Sequence, residues 1–334
     1  MIAARKIVRS SPRGMTLVEF MVAIGITAIL MTITVTIFMN QNKTYVASQD
    51  AHEAQETMPA AIHILQQDLM EAGWSVLPQM AFFFNDGGTG SPDEIYLNDV
   101  EVIILERDVG IWTSTSRKAC PGGLEIDSVA SSKIKIPYLD VNYNEFDEKS
   151  QEHKEDFVKG AFVIAFTSGA PAVAPIDAKD NTTSPMMEID LGSSVTGSFS
   201  SSAGDYIAPA IRYRIDNNAL VRNDRDSAAD NATNPDWTIA EGIVDLQVAY
   251  LKGGSWVTTP VAEDPRDIDM IRVTLVTRSD NKVVDSEADP DRYCRPGVEN
   301  RDPTDTSSAT EKEAECGYRY RTYTIQFAPR NARS

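Results

Sequence analysis

Residues 11–39 read SPRGMTLVEFMVAIGITAILMTITVTIFM, and this stretch determines the structure expected for the N-terminal part of the chain. From Met15 to Met39 there are 25 residues, of which Glu19 alone is charged. A helix over these residues is roughly 37 Å long, which is sufficient to cross a bilayer. Because a carboxylate in hydrocarbon costs about 2.5–3.5 kcal/mol, we expect Glu19 to have a partner.

The charges that precede the apolar run predict its orientation. Arg5, Lys6, Arg9 and Arg13 cluster in the first 13 residues. Such a cluster remains in the cytoplasm, so the chain after residue 39 should cross the membrane. The apolar run is longer than that of a secretory signal peptide, and no small-residue cleavage site follows it. These features predict a single-pass inner-membrane segment with a cytoplasmic N-terminus and a periplasmic globular part.

The stretch RGMTLVEFMVAIGITAIL resembles the class III leader of type IV pilins and of the pseudopilins of type II secretion. In that superfamily a prepilin peptidase cleaves after the glycine and methylates the new N-terminal residue. The resemblance implies cleavage between Gly14 and Met15 and N-methylation of Met15. Met15 departs from the phenylalanine that is usual at this position. The family's glutamate falls on Glu19, which would neutralise the α-amine of a neighbouring subunit in an assembled filament.

After residue 39 the pattern becomes amphipathic. Apolar residues recur at spacings of three and four along one face, namely Ala51, Ala54, Met58, Ala61, Ile62, Leu65 and Leu69. Pro59 should kink this helix, and Gly73 is a natural C-terminal cap. We therefore expect a leader at 1–14 and one helix over 15–74, with 15–39 in the membrane or filament core and 40–74 amphipathic.

The remaining residues, 75–334, predict a β-rich extracytoplasmic domain. Short runs rich in Val, Ile, Tyr and Thr are separated by turn-forming residues, and the clearest runs are 94–108, 132–141, 161–169, 206–216, 243–251, 269–279 and 318–329. Asn217 and Asn218 predict a hairpin turn. In the last run, Tyr323, Ile325 and Phe327 should face the core. The expected fold class is α+β, a long helix packed on a β-rich, pilin-like domain.

Two further stretches indicate which group within the pilin superfamily the chain resembles. HILQQDLMEAGW at 63–74 and IAEGIVDLQVAYL at 239–251 resemble segments of PilW-type minor pilins, and the strands at 269–279 and 318–329 follow in that family's order. The resemblance does not extend over residues 75–205. It implies a subunit that associates with other pilins, and the related large pseudopilin of type II secretion remains an alternative.

The chain contains three cysteines, of which two are predicted to form a disulfide. Cys294 and Cys316 enclose 21 residues rich in Asp, Glu, Pro and Ser, which are poor candidates for folding unaided. A disulfide between them would stabilise the fold by roughly 3 kcal/mol and requires an oxidising compartment. Cys120 is left over and could stay a free thiol.

The sequence contains no recognisable catalytic motif, which predicts that the chain is not an enzyme. Its three histidines lie near no nucleophile motif, and there is no phosphate-binding loop. A formal charge of −18 without a basic stripe argues against nucleic acid as a partner. We expect no cofactor and no metal, although two acidic loops could bind calcium, one with Asp285, Glu287, Asp289 and Asp291 and one with Asp224, Asp226 and Asp230. Neither loop matches an EF-hand.

The sequence therefore predicts a minor pilin that initiates or caps a type IV pilus-like filament after leaving the inner membrane. Its partners would be other pilins and the prepilin peptidase. Two alternatives stay open, a pseudopilin at the tip of a type II secretion pseudopilus and an adhesive module at a filament tip.

Overall fold

The structure is a computed structural model. Its described residues are 16–73, 76–98, 124–125, 128–130, 133–137, 160–167, 170–180, 186–192, 206–223, 236–259, 264–279, 282, 293–303 and 309–331. The chain divides into two units, residues 1–51 and residues 52–334. A long apolar helix is followed by a β-rich domain, which confirms the predicted α+β class. The finer boundaries at residues 14, 39 and 74 stay predictions.

Helix α1 runs from Leu17 to Glu71 and continues through Pro59. It ends because Gly73 adopts a left-handed backbone, with φ of 87°, that a residue with a β-carbon rarely adopts. The amide of Gly73 then donates to Oδ1 of Asn98 at 2.6 Å, which satisfies a buried donor at the helix end. The kink expected at Pro59 stays a prediction.

The second half of α1 buries the apolar stripe that its spacing predicted. Met58, Ala61, Leu65 and Leu69 are all fully buried, and they pack in the main hydrophobic core. Gln67, on the opposite face, is exposed. The stripe therefore positions this part of the helix against the sheets of the same unit. The side chains of Ala51 and Ala54 lie outside the described residues.

Fifteen strands are present among the described residues, and all of their pairings are antiparallel. The larger sheet contains β1 (Phe82–Asn85), β2 (Glu94–Asn98), β3 (Leu124–Glu125), β4 (Ser128–Ala130), β5 (Lys133–Pro137), β6 (Phe162–Thr167), β7 (Ala170–Asp180), β8 (Met186–Leu191), β9 (Tyr206–Asp216), β10 (Ala219–Asn223) and β11 (Asp236–Glu241). Its main path is β1-β2-β9-β6-β7-β8-β5-β4, with β3 and β10 also paired to β9, and β11 paired to β10.

The smaller sheet forms the C-terminal part of the domain. It contains β12 (Ile243–Lys252), β13 (Ser255–Val257), β14 (Met270–Arg278) and β15 (Tyr320–Phe327), in the order β13-β12-β14-β15. Short 3-10 helices cover Pro78–Met80, Gly88–Gly90 and Pro265–Asp267, and helix α2 covers Ala309–Glu315. The main core lies where α1 meets residues of both sheets, among them Tyr213 of β9, Val248 of β12 and Val273 of β14.

Local sequence signals placed several of these elements correctly. Asn217 and Asn218 form the turn between β9 and β10 with φ of 49° and 62°, and Asp216 pairs with Ala219 across it. Phe327 is buried, and Tyr323 and Ile325 pack against the core as the alternation predicted. The predicted strand at 94–108 is present as β2, and its continuation lies outside the described residues.

Strand β7 is absent from the predicted runs, and its sequence contains two prolines. Pro171 and Pro175 lack the amide that a sheet ladder uses, a feature that argues against a strand. In the structure both prolines pair with β6, opposite Phe166 and Phe162. Pairing with β6 over residues 170–175 and with β8 over residues 176–180 is therefore sufficient to hold an eleven-residue strand with two missing donors.

Candidate functional site

The N-terminus of α1 is capped by three hydrogen bonds between Thr16 and Glu19. The backbone amide of Thr16 donates to Oε2 of Glu19 at 2.9 Å, and the Thr16 hydroxyl donates to the same oxygen at 3.0 Å. In return, the Glu19 amide donates to the Thr16 hydroxyl at 3.3 Å. This is a capping box, in which a threonine and the glutamate three residues later satisfy two helix-end amides. Gly14 and Met15 lie outside the described residues.

The capping box gives Glu19 a partner within its own chain, which the sequence analysis did not identify. The signal was present as TLVE at residues 16–19, the threonine-x-x-glutamate spacing that opens many helices. A carboxylate in the first turn also interacts favourably with the positive end of the helix dipole. A lone carboxylate at this position therefore has a local structural reason, independent of any neighbouring subunit. Both bonds from Thr16 end on Oε2, so Oε1 receives none from that residue.

The first part of α1 exposes its apolar side chains on every side. Residues Leu17–Asn42 form a helix long and apolar enough to cross a membrane, by length and composition. Leu17 is 77% exposed and Met31 is 68% exposed, as are other large side chains around the helix. A helix that is apolar all round needs lipid or other helices to cover it. This surface is consistent with membrane anchoring.

Threonines within this apolar surface direct their hydroxyl groups to the helix backbone. Thr27 donates to the carbonyl of Ala23 at 2.8 Å, and Thr32 donates to that of Ala28 at 2.9 Å. Thr34 and Thr36 make equivalent bonds one turn back. Because each hydroxyl is satisfied within the helix, these polar atoms add little cost to burial in lipid or in a helical bundle.

The predicted cysteine pair lies next to α2. In the structure Cys294 and Cys316 form a disulfide across a sequence separation of 22 residues. Cys316 is buried, and the amide of the following Gly317 donates to the carbonyl of Tyr293 at 2.8 Å. The bridge thus joins the two ends of a segment whose flanking backbone is also hydrogen bonded. Cys120 lies outside the described residues.

The two acidic loops considered for calcium, at residues 224–230 and 285–291, lie outside the described residues. Within the part of the chain that the structure describes, no group of three or more His, Cys, Asp or Glu side chains could hold a metal ion.

One cleft of about 490 Å³ lies beside the hairpin of β9 and β10, and Asp236 lines it. That carboxylate accepts hydrogen bonds from Arg214 at 2.6 Å and from Asn223 at 2.8 Å. Burial would raise the pKa of Asp236, but these hydrogen bonds and the neighbouring arginines outweigh burial and lower the pKa. The group is therefore an ionised, engaged acceptor and a poor general acid.

Comparison with known proteins agrees with the N-terminal geometry. Residues 9–35 match the family model described as the prokaryotic N-terminal methylation motif. Comparison with curated protein sequences gave no match. Among solved structures, a type IV-like pilin from Thermus thermophilus is 13% identical, with 58% of this chain and 100% of that chain covered and a TM-score of 0.24. The methylation motif and the long apolar helix that carries it support a pilin-type subunit.

Proposed function

We propose that the chain is a minor pilin that helps to initiate or cap a type IV pilus-like filament. The observation that carries the proposal is a helix apolar on all sides, Leu17–Asn42, that begins within the methylation motif at residues 9–35. Such a helix needs lipid before assembly and the helices of other pilins after it. The bulky β-rich domain suits a position at a filament end, where it is not repeated at close spacing.

The methylation motif also indicates how the precursor would be processed. Prepilin peptidase would cleave between Gly14 and Met15 and methylate Met15, which removes the basic residues that hold the N-terminus in the cytoplasm. The domain would fold on the periplasmic side, where a disulfide between Cys294 and Cys316 can persist. Gly14→Arg should leave an uncleaved precursor in the inner membrane. N-terminal mass spectrometry that finds residue 1 or 2 on assembled protein would contradict this processing.

Glu19 would have two roles in this protein. Its Oε2 caps the helix, while its negative charge neutralises the α-amine of Met15 in a neighbouring subunit. Cleavage creates that amine within an apolar bundle, where an unpaired charge is costly. Pairing would therefore favour the correct stagger between adjacent subunits.

Two substitutions separate the cap from the charge. Glu19→Gln keeps an oxygen that can accept from Thr16 but removes the charge, whereas Glu19→Ala removes both. If charge pairing drives assembly, both variants should insert normally yet lose filaments and co-purifying pilins. If only the cap matters, Glu19→Gln should behave like wild type, and that result would refute the pairing role. Thr16→Ala, which removes both hydroxyl bonds of the cap and keeps the charge, should have the smaller effect on filament number.

The phenotype of a deletion tests the filament itself. The proposal predicts fewer surface filaments with normal protein export and with restoration by the wild-type chain. Loss of export with surface filaments intact would instead show a secretion pseudopilin. Filaments in normal number that no longer bind surfaces would show an adhesive tip module.

A further inference from the structure

A short segment of the C-terminal domain covers one face of the smaller sheet. This segment, residues 293–303, is called the strap. In β12, Leu246 and Val248 point into the main core, so the alternating residues Asp245 and Gln247 face the other way. The strap lies on that second face, because its arginines reach Asp245 and its Glu299 binds Arg272 of β14.

Glu299 fastens the strap to β14. Its two carboxylate oxygens accept from Nε and Nη2 of Arg272 at 2.7 and 2.6 Å, a bidentate pair. The guanidinium of Arg272 also stacks on Trp256, 4.0 Å from the ring centre. Glu299 has φ of 51°, an unfavourable conformation for a residue with a β-carbon. The contacts of its carboxylate must therefore offset local backbone strain.

Beneath the strap lies a buried cluster of charges. Asp245 is 0% exposed, and its two oxygens lie 3.4 Å from Nη1 of Arg295 and 2.6 Å from Nη1 of Arg301. Nε of Arg295 also donates to Glu315 at 2.9 Å. Two arginines thus balance two carboxylates, and removing either arginine from Asp245 would leave charge buried without compensation.

The disulfide holds both sides of this cluster. Cys294 immediately precedes Arg295, and Cys316 immediately follows Glu315. The cluster is also incompletely hydrogen bonded, because Nε of Arg301 finds no acceptor among the described atoms. The Arg301 backbone pairs with Val298, each amide donating to the other residue's carbonyl, and the disulfide is the covalent element that joins the two ends of the segment carrying these groups.

We propose that the Cys294–Cys316 disulfide is a redox lock that holds Arg295 and Arg301 of the strap on the buried Asp245. Closing the lock oxidises two thiols to one disulfide with loss of two protons and two electrons. A disulfide-bearing thiol oxidant accepts them and becomes a dithiol. In the reduced protein the strap opens locally. Without the disulfide, water can solvate Asp245 and the two arginines in place of the ion pairs between them. The proposed function places formation of the disulfide on the periplasmic side. The inference that the disulfide holds the strap on Asp245 does not depend on that function.

Two peptide bonds in the chain allow opening of the strap to be tested with an internal control. Trypsin cleaves after arginine, and the bonds Arg301–Asp302 and Arg266–Asp267 have the same residues on each side. Arg301 is buried in the strap, while Arg266 is exposed. Full-length protein in detergent micelles should be digested oxidised and after reduction, with both cleavages followed by mass spectrometry. Reduction should speed cleavage after Arg301 by about tenfold or more and leave cleavage after Arg266 unchanged.

Two outcomes would overturn the lock. Arg301 could stay protected in the reduced protein, or both bonds could become labile together, which would indicate general unfolding. The variant Asp245→Asn tests the contribution of the buried charge. In its oxidised form the arginines lose their charged partner, so trypsin should already cleave after Arg301 faster than in the oxidised wild-type protein. Full protection of Arg301 in that oxidised variant would show that the disulfide acts alone as a chain restraint. The wild-type comparison needs no substitution and decides the question if Asp245→Asn does not fold.

Discussion

Asp68 joins the second half of α1 to the larger sheet, and its removal should be strongly destabilising. The hydroxyl of Tyr213 in β9 donates to Oδ2 of Asp68, and Nε of Arg222 in β10 donates to the same oxygen at 3.0 Å. Tyr213 is fully buried, and burial raises its pKa, so its hydroxyl stays protonated and remains the donor. Asp68→Ala would leave both donors without this acceptor.

The cost can be worked out from these contacts. A buried hydroxyl that loses its acceptor costs about 1–3 kcal/mol, and breaking a fully buried ion pair costs about 3–5 kcal/mol. The side chains of Asp68 and Arg222 are 16% and 18% exposed, so water reaches part of the pair. Arg222 also keeps a contact with the ring of Trp237 at 5.9 Å. We therefore expect a loss of about 3 kcal/mol, or a fall in Tm of about 6–12 °C.

Urea unfolding of the full-length protein in detergent, followed by tryptophan fluorescence, measures this loss. Gln67→Ala is the matched control, because Gln67 is the preceding residue on the exposed face and should change stability by less than about 0.5 kcal/mol. A double-mutant cycle with Tyr213→Phe should show a coupling of about 1–2 kcal/mol. If Asp68→Ala unfolds at the same urea concentration as Gln67→Ala, the carboxylate does not hold the helix on the sheet.

Three further features of the domain can be tested, namely the buried Asp93, the helix cap at Gly73 and the cysteine pair. Burial raises the pKa of Asp93 to about 7, so the folded state binds a proton more tightly than the unfolded chain. The stability that this group contributes is fully present below about pH 4 and is lost as the pH rises through about 7, so urea titrations at each pH should show a smaller loss of stability over this range in Asp93→Asn than in wild type. Gly73→Ala should cost about 1–2 kcal/mol in the same titrations because alanine disfavours the left-handed backbone there, and Gly73→Asn should cost less. Non-reducing peptide mapping of native protein should recover Cys294 and Cys316 in one linked pair, and their recovery as two free thiols would contradict the pairing.

The parts of the fold that sequence alone predicts are those determined by nearby residues. The spacing of Ala61, Leu65 and Leu69 predicts which face of α1 is buried, because helix geometry relates residues three and four apart. The hairpin at Asn217 and Asn218 follows from side chains that tolerate a left-handed backbone. These signals are complete within about ten residues of chain and need no knowledge of the partner element.

Contacts between distant residues carry no such signal. Asp68 lies 145 residues from Tyr213 and 154 from Arg222 in sequence, and nothing near Asp68 indicates either partner. The pairing of β6 with β7 likewise overrides the prolines that argue against a strand. Glu19 is the instructive intermediate case, since its partner is only three residues away and the capping spacing was readable. The hydrogen bonds from Thr16 give the carboxylate a local partner, and its pairing with a neighbouring subunit stays a prediction.

Three buried or partly buried carboxylates of this domain lie where separate pieces of the chain meet. Asp68 connects α1 to β9 and β10, Asp245 connects β12 to the strap, and Asp93 of the β1–β2 loop accepts from the Val248 amide of β12 at 2.8 Å. Apolar burial between the same elements is non-directional and would tolerate a shifted packing. Each carboxylate adds a penalty for any packing that separates it from its donors. Apolar spacing therefore forms the helices and strands, and these polar contacts restrict how the elements can be joined.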